Sequence, residues 1–375
     1  MIDHQLDFRL IQDLEQFAEC RDEWNELCDS RLFHSWEWMY TWWKHYQKIG
    51  SLAIVVVHDH TGRWVGIAPW FKTRSASRGR VIRNLGTGAA CSDYVGVAVR
   101  PGFEDHVAST LLSTTLGDEQ ASIFADVDLF EFEGHLIDEP IIQRIVQQVT
   151  PEMGRVRSEA FSGSWPTTLS KDWTEFDLQL PKSFRRKTKK ASKRLQSSEF
   201  HAEAVRELDS LETAWDTFVD LHQRRREFLG QPGCFADPQF TEFLKEATFR
   251  LAETGRSQIN MIYYKDQPLT CDLEFTNDDT VYMYQTGLDP NQLKLEPGYL
   301  TFTFAIQQSI ERQFDCYDFL RGDEPYKSRW TSDRIELYRT QIVPNRLSSR
   351  VRNSLIIGGR QIKGLAAGLK QRIKK

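Results

Sequence analysis

The 375-residue chain has no CxxC pair, no HExxH motif and no regular cysteine spacing. Its six cysteines, Cys20, Cys28, Cys91, Cys234, Cys271 and Cys316, are scattered. That scatter argues against a disulfide scaffold or a structural zinc site and favours a reducing compartment. The nine histidines show no metal-ligand spacing, so no metal is expected. GxSxG, GxGxxG and GxxxxGK[ST] are missing too, leaving no sign of a nucleophile elbow, a dinucleotide fingerprint or a P-loop. No run approaches the ~18 apolar residues of a membrane span. The opening MIDHQLDFRL has neither a basic n-region nor an apolar h-region, so a cytoplasmic protein is expected. Hydrophobic residues at 40%, with 22 glycines besides, give the apolar share of a globular protein and exclude disordered and fibrous classes. The length suits two or three domains at ~150 residues each, or one duplicated architecture.

Charge is unevenly spread. The net value is −5, yet residues 1–180 carry 16 basic against 27 acidic side chains and residues 181–375 carry 32 against 26. Between Lys182 and Arg194 eight of thirteen residues are basic, and after Glu336 there are ten basic residues and no acidic one. Such bias points to an anionic partner and is silent about fold.

Helical spacing of Leu14, Phe17, Trp24, Leu27 and Cys28 predicts a helix near the start. A second is predicted after Ser35, a good N-cap, through Trp36, Trp38, Met39, Trp42, Trp43 and Tyr46. Four tryptophans in eight residues exceed the needs of one helix face, so Trp36 or Trp38 is a candidate for lining a substrate groove. Strands are predicted in SLAIVVVHDH and RWVGIAPWF, then in SDYVGVAV, followed by a helix over 103–116 and the strand DVDLFEFEG. The order returns in the second half: the hairpin INMIYYKDQPLTCDLEF, the strand VYMYQTGLDP, a helix over 299–312 and the strand CYDFLRG. Pro101 to Gly134 is 33 residues and Pro290 to Gly322 is 32, which reads as an internal duplication with an insertion at 72–90. Between the copies lie a loop, FSGSWPTTLS, and a predicted strand, WTEFDLQLP. KSFRRKTKKASKRLQ follows as a basic helix with one apolar stripe, and then comes the helix LETAWDTFVDLHQRRREF.

The most informative stretch is 281–330, where a strand leads through Pro297–Gly298 into a helix. Free N–H groups at that helix start can receive phosphate oxygens. Four segments, HSWEWMYTWWKHY, LHQRRREFLGQPGCFADPQF, YQTGLDPNQLKLEPGYL and DFLRGDEPYKSRW, resemble a GNAT-like family named for an acetyltransferase of bacterial cellulose biosynthesis. The middle segment departs from the family, reading His222–Gln223–Arg224–Arg225–Arg226 where an Arg–Trp pair is usual. The resemblance covers roughly residues 30–335. It implies an α/β fold of two tandem GNAT-like units with mixed sheets and a basic C-terminal helical tail, a build similar to Fem-type peptidyl transferases. The expected division is 1–165, 166–343 and 344–375.

The resemblance also implies acyl transfer from acetyl-CoA or another acyl-CoA to an amino group, with a sugar or polysaccharide precursor as the expected acceptor. Thr286 and Leu288 would hold the acyl and pantetheine portion, and Leu295, Glu296, Pro297, Gly298, Tyr299 and Leu300 the pyrophosphate. Tyr326 is the candidate proton donor. Asp272 and Glu274, paired at i and i+2 of one strand, and Asp318, inside an apolar strand, are the candidate carboxylates, with the base left open among them. Lys327, Asp323 and Glu324 are candidate acceptor contacts in the loop after the last strand. His222, Arg224 and Arg225 are candidates for an anionic acceptor such as a nucleotide-linked sugar. Two other readings stay open. One is a Fem-type transferase using aminoacyl-tRNA, the one case in which nucleic acid is a partner. The other is a non-catalytic assembly or nucleic-acid-binding factor. Basic residues in the helix 182–195 and the tail make an anionic membrane surface a further candidate partner.

Overall fold

The computed structural model describes residues 6–28, 31–116 and 122–352. The first half begins with β1 (Asp7–Ile11), α1 (Leu14–Glu19) and α2 (Arg21–Cys28). The single helix expected there is broken at Cys20. Helix α3 (Trp36–Tyr46) starts where expected, with the Ser35 hydroxyl accepting from the Trp38 N–H at 3.4 Å. Strands β2 (Gly50–Leu52), β3 (Ile54–His58), β4 (Trp64–Ala68), β5 (Trp70–Ser75), β6 (Gly79–Asn84) and β7 (Ala98–Val99) follow. The expected insertion at 72–90 is therefore mostly a β5–β6 hairpin. SDYVGVAV supplies only the two residues of β7, because Tyr94 takes φ +60° and breaks the extended run. Then come α4 (Glu104–Leu116), β8 (Leu129–His135), α5 (Pro140–Gln148) and β9 (Gly154–Ser164).

The second half holds β10 (Pro166–Thr168), α6 (Trp173–Gln179), α7 (Lys182–Leu195), β11 (Phe200–Val205), α8 (Leu208–Phe228) and α9 (Pro238–Ala252). It continues with β12 (Ser257–Tyr264), β13 (Gln267–Thr276), β14 (Thr280–Leu288), α10 (Pro297–Glu311), β15 (Cys316–Asp318) and β16 (Ile335–Pro344). WTEFDLQLP is thus a helix, not a strand. Asp172 caps it by accepting from the Glu175 N–H at 2.9 Å, and Phe176 and Leu180 turn inward at helical spacing. CYDFLRG is extended only to Asp318, because Leu320 sits at φ +56° with its N–H on the Asp318 carboxylate at 2.7 Å.

Three sheets result, ordered β1-β3-β4-β7, β2-β5-β6-β8-β16-β9 and β10-β15-β14-β13-β12-β11. The duplication is visible as one order used twice. A first strand, helices, a hairpin, a strand, a helix and a strand run β1, α1–α3, β3–β4, β7, α4, β8 and again β11, α8–α9, β12–β13, β14, α10, β15. The fold is α/β with mixed sheets in two tandem GNAT-like units. The units are interlocked. Strand β16 leaves the second unit and inserts between β8 and β9 of the first, antiparallel to both. Its place there is held by a row of cross-sheet contacts, including Arg339 on Glu133 at 2.7 Å and Gln341 on buried Glu131 at 2.6 Å. Between the units an aromatic core joins Trp38 of α3 to Phe243, Phe275 and Tyr284 at 5.1–5.5 Å. The tail beyond 352, expected to be helical, lies outside the described residues.

Candidate active site

Strand β14 creates the site by leaving its neighbour. Along β13 the register shifts between Leu273, opposite Gln285, and Glu274, opposite Met283, so Tyr284 is an extra residue and the strand is bulged. On the other edge β14 pairs with β15 only through Thr280–Tyr282. Beyond Tyr282 the two diverge, and a cleft of 660 Å³ lies between β14, the start of α10, the end of α8 and the loop after β15.

The start of α10 is shaped for an anion. Glu296 adopts φ +57°, which turns the chain, and Pro297 occupies the first helical position, where no N–H is needed. Gly298 follows, and a Cβ there would meet nothing within 4 Å. The backbone is open to the cleft at the point where helix N–H groups are free. Thr286, Leu288, Glu296, Pro297, Gly298, Tyr299, Glu324, Tyr326 and Arg225 all line this cleft, so nine of the residues picked from sequence come together. Leu300 and Leu295 do not. Leu300 is fully buried with Ala191, Ile262 and Leu269, and Leu295 borders a separate groove beside Lys190 and Arg194. Glu296 lines the cleft but is no phosphate ligand. Its carboxylate is held by Lys187 and by Lys190 at 2.8 Å, with Arg194 at 3.6 Å, and the bonds from Lys187 and then Lys190 bring its pKa down to about 2. It fastens basic helix α7 to the turn.

Sequence reasoning missed several lining residues. Arg226 and Arg329 join Arg225 around the cleft. Arg226 donates to Gln231 at 2.9 Å and Arg329 to the Tyr299 hydroxyl at 3.1 Å, while Arg225 lies over the Phe228 ring at 5.7 Å. None of the three meets a carboxylate among the described residues. Phe184, Leu229, Leu293, Phe302 and Trp330 give the cleft an apolar wall, and Thr270 and Thr301, with hydroxyls 2.6 Å apart, also line it. Arg329 and Trp330 lie inside the quoted DFLRGDEPYKSRW segment, where the basic–aromatic step was the available signal.

Tyr326 stacks on Phe302 at 5.2 Å, and burial, then the Glu324 charge, holds its hydroxyl in the protonated form. Asp272 lies on β13 between Thr270 and Glu274 and is fully buried. Burial and the neighbouring Glu274 push its pKa well up. One Asp272 oxygen accepts from Asn260 at 3.0 Å; its Oδ1 accepts no protein hydrogen bond. Glu274 is turned into a closed network, accepting from Tyr317 and Gln258 at 2.7 Å each.

Other sequence candidates fall elsewhere. Lys327 is buried and gives its ammonium to the carbonyls of Leu320 at 3.0 Å and Arg321 at 2.7 Å and to Glu324 at 2.9 Å. It braces the loop and has no free charge for an acceptor. Asp323 is bound to Arg334 at 2.8 and 3.2 Å, which lowers its pKa. Asp318 is buried at the seam with the first unit, where it accepts from Ser164 at 3.1 Å and from the Tyr94 hydroxyl; burial raises its pKa. His222 is buried as well. Its Nδ1 donates to the Thr286 carbonyl at 2.8 Å, its Nε2 lies 3.3 Å from the Cys234 sulfur, and burial lowers its pKa to about 4. A neutral imidazole fixed to β14 is not an anion contact. Arg224 is committed to Asp289 at 2.6 Å. Trp36 is framework, donating to the Phe17 carbonyl at 2.8 Å and stacking on Tyr40. Among the described residues no group of His, Cys, Asp and Glu could hold a metal ion, and no described helix is long and apolar enough to cross a membrane.

Residues 182–328 match the family model of an acetyltransferase (GNAT) domain, the segment that builds this cleft. The chain therefore carries a GNAT acyltransferase-like domain. It is similar in fold to FemX, with a TM-score of 0.61 at 10% identity over 89% of this chain and 96% of that one. A C-terminal domain of a putative lysylphosphatidylglycerol synthetase from Agrobacterium fabrum gives 0.54 at 9% identity, over 91% and 96%. A conserved protein of unknown function from Bacteroides thetaiotaomicron gives 0.55 at 10% identity, over 90% and 100%. At such identities the likeness is one of fold. No curated protein sequence matches the chain.

Proposed function

We propose that the protein is an acyl-CoA-dependent N-acyltransferase that passes an acetyl or other acyl group from the thioester directly to an amino group, with a sugar or polysaccharide precursor as acceptor. The observation that carries this reading is the start of α10. An open Gly298 at a helix N-terminus and three arginines without carboxylate partners border one cleft. Arg225, Arg226 and Arg329 would hold the donor's phosphates against the α10 N–H groups, and the pantetheine arm would follow β14 past Thr286 and Leu288. Arg225 is thereby moved from acceptor to donor.

Transfer needs the amine held near the thioester carbonyl, so positioning supplies much of the rate. The nitrogen gives one proton to water and the departing sulfur gains one. Tyr326, kept protonated by burial, is the proposed donor to sulfur, and buried Asp272 on β13 is the proposed group that restores that proton from solvent. Glu274 and Lys327 are given structural roles.

The test is ligand-dependent stability. Acetyl-CoA should raise the melting temperature in proportion to the logarithm of its concentration, and RNA should not. The Fem-type reading, transfer from aminoacyl-tRNA, is favoured by one observation: Lys182, Arg185, Arg186, Lys189 and Lys193 of α7 make no ion pair among the described residues. Stabilisation by charged tRNA without any by acetyl-CoA would select it.

A further inference from the structure

Large apolar side chains stand in solvent around the mouth of the cleft. Phe228 is 60% exposed, Leu229 46% and Leu293 40%, and the two leucines also line the cleft. Leu178, 64% exposed, stands on α6, which packs beside α7. Cations accompany these residues. Lys294 is next to Leu293, and α7, whose Phe184 walls the cleft, presents Lys182, Arg186 and Lys189 outward with no ion-pair partner among the described residues. The acids nearby are mostly spent: Glu296 on three cations and Glu324 on Lys327, with Glu227 left exposed. A chain of net charge −5 thus shows exposed apolar side chains at this cleft and unpaired cations on the outer face of the helix that walls it.

We propose that this surface seats the protein on an anionic lipid bilayer, with the cleft mouth facing the headgroups. Exposed aromatic and leucine side chains enter the headgroup–acyl boundary, and unpaired lysines and arginines meet anionic headgroups. Neither nucleic acid nor a folded acidic partner accounts for solvent-exposed Phe228 and Leu229 beside the charges as directly as an interface with an apolar interior does. The α7 cations Lys182, Arg186 and Lys189 are not among the three arginines assigned to the donor, so failure of the lipid contact leaves the acyl-CoA reading standing.

The experiment is co-sedimentation of the full chain with vesicles of phosphatidylcholine alone or of phosphatidylcholine mixed with phosphatidylglycerol. Binding is expected on the mixed vesicles, should weaken as salt rises, and should be absent on phosphatidylcholine. Phe228→Ser, at an exposed position, should lower the partition coefficient about tenfold. Arg186→Glu with Lys189→Glu should abolish the preference for anionic lipid. Circular dichroism checks that each variant is folded, and acetyl-CoA stabilisation should be unchanged in the α7 double variant. No vesicle binding, binding of RNA in its place, or vesicle binding that both variants retain would overturn the proposal; the last outcome would move the contact to another part of the chain.

Discussion

Replacing Gly298 with valine tests the phosphate turn where the structure is most explicit. A Cβ at Gly298 meets nothing within 4 Å, so the branched side chain would project into the cleft and displace no protein atom. The position is in the first turn of α10, and no positive φ has to be preserved. Exchanging glycine for valine in a helix is favourable by a few tenths of a kcal/mol, which leaves the melting temperature within about 2 °C of the parent for a chain of this size. Binding should respond very differently. A hydrogen bond from an N–H to a charged phosphate contributes roughly 1.5–3 kcal/mol. Loss of one such bond raises Kd about 10- to 150-fold. Isothermal titration with acetyl-CoA reads the loss, and an acetyl-pantetheine fragment without phosphates provides the control, because its weaker binding should be unchanged. Wild-type affinity for acetyl-CoA in a folded Gly298→Val protein would refute the phosphate-turn argument, since the side chain has nowhere to go but the donor's path.

Four further outcomes are expected. Tyr326→Phe should lower kcat by about 10²-fold with little change in KM for acyl-CoA, because the hydroxyl acts in the transition state; full activity would move the proton donor elsewhere. Arg329→Ala should raise KM for acyl-CoA and leave the fold intact, as its side-chain hydrogen bond among the described residues goes to the Tyr299 hydroxyl and not to a carboxylate. Lys327→Ala should act on stability instead, lowering the unfolding free energy by roughly 2–4 kcal/mol, because it strands two carbonyls and Glu324; an intact melting temperature with a raised KM for the amine would return Lys327 to the acceptor. Burial lowers the His222 pKa from 6.5 to about 4, so the unfolded chain binds the proton more readily, and this histidine's stability contribution, present above pH 6.5, is lost as pH falls towards 4. The slope is roughly 1.4 kcal/mol per pH unit, and urea unfolding of His222→Gln over that range should lack it.

The parts of the fold legible in sequence are those with strong local signals. Ser35 before a tryptophan-rich helix, Lys265–Asp266 between two apolar strands and Pro297–Gly298 before α10 each name a boundary, and each lies where expected. WTEFDLQLP misled because Trp173, Phe176, Asp177 and Leu180 are spaced for a short helix while aromatic content favours a strand; the Asp172 cap decides it. Pairing across the chain was illegible for a different reason. Nothing within residues 335–344 says that the partners are β8 and β9, some 170 to 210 positions upstream. The site divides similarly. Residues of the β14–α10 turn were readable as a group because helix starts have local chemistry, whereas Lys327 and Asp323 looked free in sequence and proved to be paired.

That interlocking of units bears on how the site works. The cleft is lined from 184 to 330, within or at the edge of the stretch that matches an acetyltransferase domain, yet its frame reaches into the first unit. Tyr284, the extra residue of the bulge, gives its hydroxyl to the Ala90 carbonyl at 2.7 Å, and Arg321, just past β15, donates through its backbone N–H to buried Asp93 at 2.8 Å and through its guanidinium to the Ser92 carbonyl at 2.6 Å. Both walls of the opening between β14 and the chain after β15 are thus fixed to the same short segment, residues 90–93, of the other unit. The corresponding helix start of the first unit carries acids instead: before α4 the Gly102 N–H donates to Glu104 at 3.0 Å, and Asp105 accepts from Arg144 at 2.6 Å. Two carboxylates there would repel a phosphate. One copy of the duplicated unit therefore keeps an open helix start, and the other supplies the wall that holds the cleft apart.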